Sequence, residues 1–100
     1  MIRHIVLLKL YDPGSPEEKT KAAETVRNEL LSLKNKIPFI EEFDVGINIS
    51  NDDAAYDLVI NSVFASKEDL KAYLVHPEHQ AFILFNKKYS EKKVVVDYEY

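Results

Sequence analysis

Two of the three histidines and one of the six tyrosines fall in a single short run, Tyr73-Leu74-Val75-His76-Pro77-Glu78-His79. A phenol and an imidazole brought to one volume form an acid/base pair suited to chemistry at a carbonyl. The proline decides how they meet. Pro77 fixes its own φ and disfavours helical geometry at the residue before it, so a helix ending near Val75 breaks at His76 and a second begins with Pro77 in its first turn. Tyr73 then lies on the last turn before the bend and His79 on the first turn after it. The alternative is that Tyr73 packs while His76 and His79 cap and solvate a helix corner. The third histidine, His4, lies in an apolar run at the start of the chain, and Asp97 lies in another at its end. A carboxylate beside an imidazole selects its tautomer, so these two are a second polar pole if the strands carrying them are neighbours. They equally fit a buried pair that only ties two strands together.

The elements that must position these groups follow from periodicity. Ile2 to Tyr11 is strand-like with two apolar faces, Ile2, Val6, Leu8 and Leu10 with His4 on one, Ile5 and Leu7 with Arg3 and Lys9 on the other. Ser15-Pro16-Glu17-Glu18 supplies an N-cap, a first-turn proline and acids that complement the dipole of a helix running to about Lys36. Its apolar stripe is Ala22, Ala23, Val26, Leu30, Leu31 and Leu33, and Ile37-Pro38 ends it. Phe39 to Ile49 alternates as an outer strand with one wet face, and Ala55 to Ala65 reads as a third strand with Leu58, Ile60 and Phe64 opposite Val59 and Val63. Ser66-Lys67-Glu68-Asp69 resembles a capping box that launches the bent helical unit, whose second half runs from Pro77 to about Tyr89 and buries Phe82 and Ile83. Lys87 to Lys93 reads as a charged loop before a closing strand from Val94 to Tyr100.

The order β-α-β-β-α-β is that of an α+β, ferredoxin-like chain: one antiparallel sheet with helices on one face. One hundred residues accommodate one domain, taken as residues 1–100. The first and third strands are central in this topology, and both are apolar on two faces although helices cover only one. The open face therefore presents Ile5, Leu7, Val59, Val63, Val94 and Val96, and the expected cover is the same face of an identical chain. Beneath the helices, Val6, Leu8, Leu30, Leu58, Ile60 and Phe82 form the apolar floor of a pocket whose polar groups are Tyr73, His79, His4, His76 and Asp97.

Composition narrows the partners. The chain carries a net charge of −4 with its 13 Lys and Arg scattered, which gives no basic face for nucleic acid. The absence of cysteine removes disulfides and thiolate metal sites and suits a reducing compartment, so the expected location is cytoplasmic. Met1 to Leu10 is interrupted by Arg3, His4 and Lys9 and reads as neither signal peptide nor membrane span. A metal site built from His4, His76 and His79 is disfavoured by the proline break, and no cofactor is called for.

Four segments in order carry a resemblance over nearly the whole chain. They are Ile2 to Leu10, Tyr56 to Phe64, Leu70 to His79 with its Tyr-x-x-His-Pro-x-His run, and Val94 to Glu99. Together they resemble the stress-responsive dimeric α/β-barrel domain family. The resemblance implies a homodimer of ferredoxin-like protomers, each with a cavity between sheet and helices, in a family most of whose members have no assigned activity. One branch comprises plant polyketide cyclases, in which the positions matching Tyr73 and His79 act as acid and base in an aldol closure, and His4 and Asp97 also match. Leu58 and Leu30 stand where that branch has a histidine and a tyrosine, which implies a less polar pocket here. Three functions are consistent with these residues: a binder of a small, largely apolar molecule, a cofactor-independent cyclase, lyase or isomerase using Tyr73 and His79, and a dimerisation module without catalysis.

Overall fold

The computed structural model describes all of residues 1–100. The elements in order are β1 (Ile2–Leu10), α1 (Pro16–Lys36), β2 (Glu42–Ile47), β3 (Leu58–Phe64), α2 (Lys67–Leu74), α3 (Pro77–Asn86) and β4 (Ser90–Glu99). All strand pairings are antiparallel and the order across the sheet is β2-β3-β1-β4, so β1 and β3 are central as their two-faced apolar pattern requires. Burial alternates strictly along β1, with Ile2, His4, Val6, Leu8 and Leu10 turned to the helical side. α1 begins where Ser15 Oγ accepts the Glu18 N–H at 3.2 Å, and it lays Ala23, Val26, Leu30 and Leu33 on the sheet. These residues join Ile60, Phe64, Leu70, Tyr73 and Phe82 in one core cluster.

Four sequence expectations are corrected at element ends. β2 begins at Glu42 rather than Phe39, because Ile37 and Ile40 are both buried as anchors of the turn after α1 and the Ile40 N–H bonds to the Ile37 carbonyl. It stops at Ile47, and Ile49 stands in solvent at 97% exposure. β3 begins at Leu58 because Asp57 is spent as a tie: its carboxylate accepts the Leu10 N–H at 2.7 Å and meets Lys19 at 3.1 Å. The segment expected as a charged loop, Lys87 to Lys93, is half strand. β4 starts at Ser90 and reaches full register with β1 after an irregularity that sets Ser90 opposite Leu10 and Lys92 opposite Lys9.

The face of the sheet away from the helices stays apolar. Val94 and Val96 lie in register with Leu7 and Ile5, and the two β4 valines are 43% and 57% exposed. Ile5, Leu7 and Val59 are half-buried. Val63 departs from expectation: it is already buried within the protomer, in register between Arg3 and Glu42, whose long side chains flank it. It therefore adds no exposed apolar surface to that face.

Phe64 is wholly buried and packs its ring 4.9 Å from that of Tyr73, so it props the helical bend as well as filling the core. Phe64→Ala is expected to lower the unfolding free energy by about 3–5 kcal/mol, read from chemical denaturation monitored by circular dichroism.

Candidate functional site

The site grows from the end of α2. Ser66 caps this helix by accepting the Asp69 N–H at 3.1 Å, and the helix carries Tyr73 onto the sheet, where it is 2% exposed. Val75 closes the last turn, and His76 takes the extended φ of −63° and ψ of 136° that a residue before proline favours. His76 then works as the N-cap of α3, its Nδ1 accepting the Glu78 N–H at 3.1 Å, with its ring 6.3 Å from Phe39. This break leaves the Leu74 carbonyl without the helical partner it would otherwise have, and a helix-end carbonyl must find a donor. Gln80 Nε2 donates to it at 2.7 Å, and His79 Nδ1 lies 3.1 Å from it.

That contact selects the imidazole's tautomer. A ring nitrogen facing a carbonyl oxygen must carry the proton, so Nδ1 is the N–H and Nε2 holds the lone pair. Burial lowers the His79 pKa below its ordinary 6.5; the Leu74 carbonyl offsets part of this, while electrostatic repulsion from His4, Lys93 and His76 against a second positive charge presses the same way as burial. The ring is thus neutral at pH 7, with a basic nitrogen that has no partner in the protein. The Tyr73 ring lies 4.4 Å away, centroid to centroid. Burial raises the phenol's pKa well above its ordinary 10.0, which keeps it protonated, and its hydroxyl makes no hydrogen bond within the chain. A poised base and a retained acid stand side by side.

His4 forms the second pole. It is buried on β1, edge-on to Tyr73 with the ring centroids 6.1 Å apart, and its Nδ1 bonds to the carboxylate of Asp97 directly across the β1–β4 pairing. The carboxylate holds Nδ1–H, leaving Nε2 on the inner side of the pair. Asp97 is itself partly exposed, so this end of the site reaches toward solvent.

A cavity of about 360 Å³ lies between these groups, at the small end of the range of ligand pockets. His4, Tyr73, His79 and Asp97 line one end, and Val6, Leu8, Leu30, Ile60 and Phe82 line its middle. Two residues singled out from the sequence are placed elsewhere. His76 is engaged as a cap, and Leu58 is buried farther along β3, near Gly46 and Ile47 on β2. Because His76 sits against Phe39, the three histidines share no common point, and no cluster of metal-ligating side chains forms. The sequence reading missed the far end, where Asn86, Lys87, Ser90 and Lys93 complete the lining. Their signal is hidden by the irregular start of β4.

Fold and site together define a ferredoxin-like α+β protein with a small acid/base cavity under a proline-broken helix. The chain belongs to the family described as the stress responsive A/B barrel domain, whose profile matches residues 2–100. It is 37% identical to an uncharacterised protein of Streptomyces coelicolor over the full length of both chains. It is 26% identical to the olivetolic acid cyclase of Cannabis sativa, with 97% of this chain and 94% of that one covered. Among solved structures, a dimeric protein of unknown function and ferredoxin-like fold from Bacteroides fragilis superposes with a TM-score of 0.86 at 32% identity, covering 99% of this chain and 95% of that one. No helix is long and apolar enough to cross a membrane.

The lowered pKa of His79 has a signed consequence. The unfolded chain takes up this proton near pH 6.5 while the folded chain resists it, so stability is complete above that pH and declines as pH falls toward the folded-state value. Nitrogen-15 NMR should find the His79 ring as the neutral Nδ1–H tautomer at pH 7, titrating below 6.5, and His79→Gln should reduce the loss of stability below that pH.

Proposed function

We propose that the cavity binds a small, largely apolar molecule bearing a carbonyl, whose oxygen accepts a hydrogen bond from Tyr73. The observation that carries this reading is the Tyr73 hydroxyl: it belongs to a side chain only 2% exposed, lines the cavity and is unpartnered in the protein. No fully buried side-chain polar atom of the protein lacks a partner, so this unpaired hydroxyl opens onto the cavity, where a ligand acceptor can take the place of water beside the apolar floor. His4 flanks the same point and, with its Nδ1–H held by Asp97, presents Nε2 as an acceptor.

A second reading rests on the protonation states of the pair. With His79 Nε2 as lone-pair nitrogen and Tyr73 as retained acid, the site suits removal of a proton from the carbon next to a carbonyl. His79 takes that proton while Tyr73 donates a hydrogen bond to the oxygen on which negative charge gathers. The resulting enolate is what an aldol closure or an isomerisation uses; in a retro-aldol type of lyase the same base would instead take the proton of the β-hydroxyl, and Tyr73 would support the enolate oxygen formed as the carbon–carbon bond breaks. The likeness to a cyclase supports this class. Leu30 makes the surroundings less polar than a polyketide chain would call for, so the proposed substrate is simpler and more apolar.

The functional unit proposed is a homodimer joined through the open sheet face at Ile5, Leu7, Val59, Val94 and Val96. Support comes from the exposed valines and from the dimeric description of the Bacteroides fragilis structure. At about 25 cal/mol per Å² of apolar surface, covering several hundred Å² favours pairing strongly even after the cost of association. Analytical ultracentrifugation should give twice the chain mass of 11.6 kDa, and Ile5→Lys with Val96→Lys should return the monomer.

For the site itself, binding of 2-octanone should weaken roughly tenfold in Tyr73→Phe, the worth of one good hydrogen bond. Proton–deuterium exchange at the carbons next to its carbonyl should be accelerated by the wild type, and His79→Gln should lower that acceleration by about 10²–10⁴. Binding without exchange would leave the binder and remove the enzyme. If both variants leave uptake unchanged and the cavity proves filled by the protein's own side chains, the cavity is incidental and the chain is a dimerisation module.

A further inference from the structure

The far end of the cavity has a chemistry of its own. Residues 90 and 93 are three apart, which in a regular strand would turn them to opposite faces. The irregularity in β4 changes this. Ser90 lies opposite Leu10 and Lys93 opposite Leu8, and both partners face the helical side, so the bulged start of the strand delivers Ser90 and Lys93 together to the cavity. From the facing helix come Asn86 and Lys87. Ser90 Oγ donates to Asn86 Oδ1 at 2.8 Å, which turns the amide so that its NH₂ is the free group. Lys87 and Lys93 pair with no carboxylate, whereas Lys19, Lys36 and Lys67 each do. Neighbouring Lys88 is engaged over the rings of Phe85 and Tyr89, 5.3 Å from each centroid. What remains at this end is a set of donors, two of them cationic.

Both walls measure the distance from this end to the acid/base end. α3 runs from His79 through Phe82 and Ile83 to Asn86, about 10 Å at 1.5 Å per residue. β4 runs back from Lys93 through Val95 to Asp97, about 13 Å at 3.3 Å per residue. Each wall passes from the donor end through an apolar middle to the acid/base end, in opposite chain directions. The lysine charge at Lys93 is felt at the other end, since it helps lower the His79 pKa.

We infer that the ligand is an oxo-acid: a carboxylate held by Lys93 and Lys87 at the β4 bulge, an apolar span against Phe82, Ile83 and Val95, and a carbonyl at Tyr73. This rests on the reading of the cavity as a ligand site. A carboxylate is favoured over a phosphate because the C-terminal end of α3, with its partial negative charge, adjoins the lysines and opposes a second negative charge. Lys87 at the α3 C-cap position also complements that dipole, so Lys93 is the more telling residue.

Calorimetric titration of the full-length protein with octanoate, 1-octanol and octyl phosphate tests this. Octanoate is expected to bind about five- to tenfold more tightly than octanol, a preference that shrinks as salt rises and vanishes in Lys93→Met with Lys87→Met. Both lysines are solvent-exposed, so the variants should keep the wild-type circular dichroism spectrum and melting temperature. Equal binding of octanoate and octanol overturns the inference while leaving the cavity a ligand site. Tighter binding of octyl phosphate overturns the choice of carboxylate, and binding of none of the three overturns both the inference and the site reading.

Discussion

A single unsatisfied carbonyl organises the centre of this molecule. Pro77 cannot continue the helix that carries Tyr73, and the interruption strands the Leu74 oxygen at the helix end. His79 and Gln80, the first residues able to reach back after the turn, both bond to that oxygen. The structural need and the chemical outcome are the same contact. By donating from Nδ1, His79 is held against the Tyr73 ring with its lone pair on the other nitrogen, and burial keeps the proton off it. A continuous helix would satisfy Leu74 through the backbone and leave the imidazole free to turn.

The sheet supplies the opposite wall by its period of two. Every second residue of β1 faces the helices, so His4 enters the cavity with Val6 and Leu8 beside it, and antiparallel pairing places Asp97 directly across from His4. The same alternation leaves Ile5 and Leu7 on the reverse face with Val94 and Val96, which ties the site to the apolar open face of the sheet. One strand thus carries both features on alternate residues. A one-residue slip of β4 against β1 would turn Asp97 to the opposite face and lose the His4–Asp97 bond.

Much of this could be seen in the amino-acid order, and the limits were physical. Strand and helix identities followed from periodicity, and the bend followed from Pro77, because both signals are local and each residue reports its own preference. His4 and Asp97 could be paired from topology alone once the outer and central strands were ordered. His76 was harder: a histidine before proline has an N-cap role and a cavity role available, and only the helix axis decides between them. Leu58 belonged to the right face and lies level with Leu8, but on β3 toward β2 and away from the β4 side on which the cavity opens, a distance across the sheet that alternation does not measure. Val63 faces the open side yet is covered by its own neighbours Arg3 and Glu42, since long charged side chains also shield apolar ones. The lysine end stayed hidden because a bulge inverts the parity on which strand reading depends, and a run of Lys, Glu and Ser reads as loop.

The proposed ligand site turns on the Tyr73 hydroxyl, which opens onto the cavity with no partner in the chain. A crystal structure of the protein grown with a medium-chain ketone tests it most directly. The ketone oxygen is expected within about 2.6–3.2 Å of Tyr73 Oη, with His79 Nε2 facing an adjacent carbon. A hollow collapsed onto Leu30 and Phe82, with the Tyr73 hydroxyl bonded inside the chain, would contradict it.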